Sequence, residues 1–197
     1  MISTEVSMPR IFPVFLLMSL SISTAFAQHQ TFAVDPAKSD VAFTLSDVMH
    51  SVHGTFHVES GTIQFDRSSP EISGDIVVAA GSGKTGSDTR DHKMNSDVLN
   101  VSKFTEATFS PKHLNGSILA TGDSTVQVDG VFTLHGTPHD LTVPMQIHIE
   151  GDVCTARTHF SIPYVKWGLK DPSNFLFKVG KEVDMDVTLA GKLSGPA

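Results

Sequence analysis

Hydrophobic and polar residues alternate along most of the chain beyond residue 40. In the clearest case, apolar side chains occupy every second position from Leu141 to Ile149, with polar residues or proline between them. A period of two places the apolar side chains on one face of a strand, so each segment has a dry and a wet face. The pattern predicts strands at 41–45, 52–58, 62–66, 72–80, 105–112, 126–134, 141–149, 155–162 and 183–189.

Residues typical of turns separate these segments. Ser, Gly, Asn, Asp, Thr and Pro cluster at 60–61, 69–70, 115–116, 121–123, 136–138 and 151–152, and these residue types favour a change of chain direction. Many antiparallel strands with one dry face close most easily into a barrel or a two-layer sandwich. About eight strands form a barrel wide enough for packed side chains or one small ligand. The predicted fold class is therefore all-β.

One segment between the strands lacks the alternation. Residues 87–100 contain charged, polar and apolar side chains without a period of two, and Ser87 or Asp88 can cap a helix there. We expect a short helical segment near residues 88–99. A helix inserted between two strands would lie across the mouth of a barrel.

The N-terminal segment has the pattern of a secretory signal. Arg10 precedes an apolar run at 11–22, which ends at the small-residue site Ala25-Phe26-Ala27. The run is short for a membrane span, although an N-terminal anchor helix is the alternative. We expect a signal peptide at 1–27, one mature domain at 28–197, and a periplasmic or secreted protein.

Composition narrows the classes of function. The net charge of −7 argues against nucleic acid as a partner. A single Trp and a single Tyr do not supply the aromatic girdles of an outer-membrane barrel, so we expect no stable membrane insertion. The only cysteine, Cys154, cannot form an internal disulfide, and its parity on the strand predicts a buried thiol. The sequence leaves a homodimer possible.

Several segments, in order and spacing, resemble the YceI-like family of exported lipocalin-like proteins. They lie at 32–36, 39–43, 50–56, 61–66, 90–91, 104–109 and 128–136. The resemblance implies an extended eight-stranded antiparallel lipocalin-like barrel whose lumen takes a long isoprenoid or similar lipid. Two places differ from the family pattern: Lys93 stands where the family usually has His, and residues 163–173 differ from the usual segment. These differences concern the polar head of a ligand rather than the fold.

The apolar faces of the strands provide candidate lumen residues. On composition alone they form a filled core, whereas the family resemblance implies a lipid-lined lumen. The function implied is an exported protein that holds or carries a polyisoprenoid, quinone-like or fatty ligand, with no other cofactor. The candidates are Phe43, Leu45, Val52, Phe56, Phe109, Phe132, Leu134, Val143, Met145, Ile147 and Phe160.

Polar candidates lie near the predicted barrel mouth. His50, His135 and His139 could form a cluster that binds a metal or a ligand head group, or have plain turn roles. The alternative function is accordingly a His-based metal or redox-cofactor binding protein on the same fold, although we expect no metal. Four other histidines, His53, His57, His148 and His159, fall on wet faces.

Three further residues near the mouth have two interpretations each. Arg90 and Asp91 could clamp a head group or form a structural pair that anchors the helix. Trp167 could form an entry rim or pack as an ordinary loop residue. No nucleophile–base pair or catalytic motif is recognisable, so we expect a binding protein rather than an enzyme.

Overall fold

Antiparallel pairing joins the strands into one sheet that closes on itself. The structure is a computed structural model and describes residues 29–46, 51–67, 69–173 and 178–195. The predicted signal peptide lies outside these residues. Within them the strands are β1 (His29–Val34), β2 (Asp40–Ser46), β3 (Ser51–Asp66), β4 (Ile72–Lys84), β5 (Glu106–Asn115), β6 (Gly122–Leu134), β7 (Thr137–Glu150), β8 (Val153–Ile162) and β9 (Val183–Ser194).

The first two strands share one position in the barrel. Both pair antiparallel with β3 on one side and with β9 on the other. A short 3₁₀ turn, Pro36–Lys38, separates them, and the Asp35 side chain accepts a hydrogen bond from the Ala37 amide at its start. Pro36 lacks the N–H that a continuous ladder would need. The nine described strands therefore form an eight-position barrel, which confirms the predicted eight-stranded antiparallel fold.

A helical segment covers one end of the barrel. Helix α1 (Asp88–Lys93) follows β4 and continues as one π-helical turn, Met94–Val98, before β5. We call this end the mouth; it contains the ends of β2, β4, β6 and β8 and the starts of β3, β5, β7 and β9. The predicted helix near residues 88–99 is confirmed. Within the described residues, no helix is long and apolar enough to cross a membrane.

Two details of the predicted strand pattern are wrong. The turn predicted at 60–61 does not exist, because β3 runs unbroken through it with a register shift between Val58 and Ser60. A Cβ atom at Gly61 would lie 2.7 Å from Val34 and Ile76 side-chain atoms. This glycine therefore permits close packing beside a bulge rather than a turn. Strand β1 was not predicted, because the polar Gln30 occupies a buried position and breaks the alternation.

The predicted turn at 136–138 is shorter than expected. His135 and Gly136 both have positive φ angles, 53° and 72°, and Leu134 pairs with Thr137 across them. Positive φ at both central residues is the requirement of a two-residue type I′ hairpin. Thr137 and Pro138 consequently belong to β7.

Candidate functional site

A cavity of about 690 Å³ occupies the mouth half of the barrel. Among the described strand residues that line it, Thr158 alone is polar, and the others are aliphatic or aromatic. The Thr158 hydroxyl oxygen is covered, so it is not exposed to the cavity, and it has no hydrogen-bond partner among the described residues. The cavity lies within the roughly 300–1,000 Å³ typical of small-molecule sites.

The structure places all eleven predicted lumen side chains on cavity walls inside the barrel, ten of them in the large cavity. Ile147 differs from the rest because it lines a second cavity, of about 90 Å³, nearer the far end. Parity also implied inward positions for Val41, Met185 and Leu189, which line the large cavity although the prediction did not single them out. The predicted residues that line the large cavity are Phe43, Leu45, Val52, Phe56, Phe109, Phe132, Leu134, Val143, Met145 and Phe160.

The helical segment contributes an apolar face to the cavity that the sequence analysis missed. Met94, Val98 and Leu99 line the cavity from the mouth. Met94 and Val98 are four residues apart, which is the spacing of neighbours on one helical face and could have revealed them. A Cβ atom at Gly83 would overlap the Met94 side chain and lie 2.7 Å from Phe56. The glycine thus leaves room for Met94 to pack on the barrel wall.

Asp91 anchors this helical segment to the end of β4. Its buried carboxylate accepts hydrogen bonds from the Thr85 hydroxyl at 2.6 Å and from the Thr85 amide at 2.8 Å. Arg90 donates to the same threonine, at 2.8 Å to Oγ1 and 2.7 Å to the carbonyl oxygen. Arg90 also lines the cavity, whereas Asp91 is not among its described lining residues. A head-group role for this pair stays a prediction.

We expect the Asp91→Asn variant to have a lower melting temperature than the wild type at neutral pH. The hydrogen bond from the Thr85 hydroxyl, the Thr85 amide and the charges of Lys84 and Arg90 lower the pKa of Asp91 below 3.8. A lowered folded-state pKa stabilises the protein above pH 3.8, and that contribution is lost as the pH falls through the folded-state pKa. The gap between variant and wild type should therefore shrink at acid pH.

Thermal unfolding followed by circular dichroism between pH 7 and acid pH checks this prediction. The exposed Asp88→Asn variant on the same helix is the matched control and should unfold nearly like the wild type. Equal melting temperatures for Asp91→Asn and wild type at neutral pH would contradict the anchoring role.

Charged side chains surround the cavity at the mouth. Lys170, from the segment after β8, lies 3.8 Å from Asp97, and both side chains are more than half exposed. Both line the cavity together with Lys93, so the cavity reaches solvent-exposed groups. An exposed pair of this kind adds little stability. The buried Tyr164 supports the same segment by donating a 2.7 Å hydrogen bond to the Gly180 carbonyl, and burial raises its pKa to about 12.

The histidines of the proposed mouth cluster have separate partners. The His139 ring stacks on Trp167 with centroids 4.1 Å apart and planes 3° apart, whereas His135 packs against Phe104 at 4.1 Å. His50 lies outside the described residues. Within the described ranges, no three His, Cys, Asp or Glu side chains are grouped to hold a metal ion. Head-group roles for these histidines and for Trp167 stay predictions.

Other predicted placements agree with the structure. His53, His57, His148 and His159 are exposed on the outer face. Cys154 is buried, and burial raises the pKa of its thiol to about 11. None of these side chains lines the large cavity, whereas Cys154 lines the second, smaller cavity.

Comparisons with known proteins agree with this barrel. A family model described as "YceI-like domain" matches residues 32–190. A "UPF0312 protein" of Pseudomonas savastanoi pv. phaseolicola is 31% identical over 135 residues, covering 67% of this chain and 68% of that protein.

Two solved structures have a similar fold. Burkholderia cenocepacia BcnA has a TM-score of 0.68 at 20% identity and covers 80% of this chain and 99% of its own. A polyisoprenoid binding domain from Saccharophagus degradans has a TM-score of 0.67 at 17% identity and covers 84% and 98%.

Proposed function

The chain belongs to the YceI-like family, and on that premise we propose that it binds one long apolar molecule in the barrel cavity. The ligand is a polyisoprenoid, quinone-like or fatty chain. The lumen residues contact this chain, and the mouth admits it. The binding site is formed by one chain, so it does not require a homodimer, which stays a prediction.

The observation that carries the proposal is a large cavity with apolar walls. Its strand walls offer almost no hydrogen-bonding groups, so a polar ligand would lose its hydration without compensation. An apolar ligand avoids that cost and gains from leaving water. The charged groups, by contrast, lie at the mouth, where a polar end of the ligand would remain near solvent.

The free energy gained by burying methylene groups favours a long apolar chain over a short one. Each buried methylene contributes about 0.8 kcal/mol, whereas association costs about 4–15 kcal/mol in lost freedom. A chain of about fifteen carbons gains roughly 12 kcal/mol, while a chain of five gains only about 4 kcal/mol. A water molecule takes about 30 Å³ in the liquid, and a methylene group is of similar size, so the cavity has room for roughly twenty such groups.

Two further points support binding of a lipid in an exported protein. The similar domain from Saccharophagus degradans is described as polyisoprenoid binding. The signal pattern that ends at Ala27 supports transport of the mature chain out of the cytoplasm. We accordingly propose that the protein carries its ligand through water and does not act as an enzyme.

Mass spectrometry of gently purified protein tests the proposal. Protein from the exported fraction of its own host should begin at Gln28 and release about one apolar molecule per chain into organic solvent. After delipidation, farnesol, geranylgeraniol and palmitic acid should be tested for rebinding. The fluorescence of Trp167, the only tryptophan, is the readout because its ring lies 6.0 Å from the lumen residue Phe132.

The proposal is wrong if the native protein releases no apolar molecule and the delipidated protein binds none of the three probes. A stoichiometric transition metal in place of a lipid would favour the His-based alternative.

A further inference from the structure

The two cavities inside the barrel share a layer of side chains. Ile76, Phe109, Met145 and Leu189 line both the cavity of about 690 Å³ and the cavity of about 90 Å³. They come from β4, β5, β7 and β9, and so from several sides of the barrel. We infer that this layer is a partition that sets the longest apolar chain the large cavity accepts. The inference rests on the proposed function.

The order of residues along β7 places the partition between the two cavities. Val143 lines only the large cavity, Met145 lines both, and Ile147 lines only the small one. Since alternate residues of a strand face the same side, these three side chains form one inward row. The row crosses from one cavity to the other at Met145.

Strand β5 repeats this order. Ala107 lines the large cavity, Phe109 both, and Pro111 the small one. Phe109 pairs directly with Ile76 of β4, so these two partition residues are cross-strand neighbours. The partition therefore includes paired neighbours on the adjacent strands β4 and β5.

On β6 the ring of Phe109 occupies the partition layer in place of a side chain. Val128 lines the small cavity and Phe132 the large one, and Gly130 lies between them. A Cβ atom at Gly130 would lie 2.6 Å from Cζ of Phe109. The missing side chain thus lets the Phe109 ring cover this part of the wall.

Met145 is the most easily opened part of the partition. Ile76 and Leu189 are buried, with 8% and 7% of their surface exposed, whereas Met145 and Phe109 are only partly buried. Methionine is unbranched and flexible, so its side chain can be shortened without removing a rigid packing element. The small cavity behind it has room for about three methylene-sized groups.

Met145→Ala should join the two cavities and move the length limit to longer chains. The control is Ile72→Ala, because Ile72 lines only the small cavity, so its truncation enlarges that cavity without opening the partition. The probes are straight-chain fatty alcohols of increasing length, with binding measured by Trp167 fluorescence. In wild type the affinity should rise by about fourfold per carbon and then stop rising at a limiting length.

In Met145→Ala that limit should move by about three to five carbons, whereas in Ile72→Ala it should stay at the wild-type length. If Met145→Ala does not fold, Phe109→Leu replaces it, with Phe65→Leu as the control, because Phe65 lines only the small cavity.

An unchanged limit in the partition variant, or an equal change in the control, overturns the partition while leaving the proposed function intact. If wild type binds no alcohol of any length, the proposed function fails together with this inference.

Discussion

Met145→Trp should release most of the bound apolar ligand or replace it with a shorter one. The larger ring would extend from the partition into the large cavity, which Met145 lines from β7. Loss of the space for about three methylene groups would lower the binding affinity for a full-length chain by roughly 50-fold. A filled core would instead be strained by about 1–3 kcal/mol, so in an open lumen the loss of stability should be smaller.

The measurement compares lipid extracts of wild type and variant purified from the same cells, with stability followed by circular dichroism. Gln146→Trp is the matched control, because its side chain is exposed on the outer face of the same strand. That control should keep the wild-type ligand. Full ligand content in Met145→Trp would contradict a lipid at this position.

Ile149→Ala should cause the largest loss of stability that we expect from a single truncation. Ile149 is 1% exposed and lies near the far end of β7, where it pairs with Gly122 and Cys154. Truncating a fully buried isoleucine removes its transfer free energy and leaves a cavity, at a cost of about 2–5 kcal/mol. For a domain of this size, each kcal/mol lowers the melting temperature by about 2–4 °C.

Denaturant unfolding of wild type and Ile149→Ala, both without ligand, checks this expectation. Leu119→Ala is the control, because Leu119 is 54% exposed, and its cost should stay within about 0.5 kcal/mol. An equally small loss for Ile149→Ala would mean that the far end is not a packed core. The expected contrast assigns a large part of the stability to side-chain packing at the far end of the barrel.

Local pattern by itself predicted most of the strands and the faces that their side chains occupy, although it missed β1 and divided β3 in two. Alternation depends only on neighbouring residues, because successive side chains of a strand point to opposite sides. It therefore predicted Phe56, Phe132 and Met145 as inward positions and His159 as an exposed one. The same reasoning identified the helical segment, because its residues lack that period.

Position along the barrel could not be predicted from the pattern. Met145 and Ile147 have the same parity, yet Met145 borders the large cavity and Ile147 lines only the small one. Parity specifies a face, whereas depth depends on the register between strands that are distant in sequence. The sequence therefore indicated an apolar interior without showing that a layer of side chains divides it.

The tertiary structure also decided features that depend on pairs of distant residues. Strands β1 and β2 share one position because both pair with β3 and β9. His139 stacks on Trp167, although 28 residues separate them along the chain. The absence of a turn at 60–61 follows from pairing with β4. Local residue types determine which side chains lie on each face of a strand. Long-range strand pairing determines which apolar faces enclose the same interior space, and the cavity forms only where they do so.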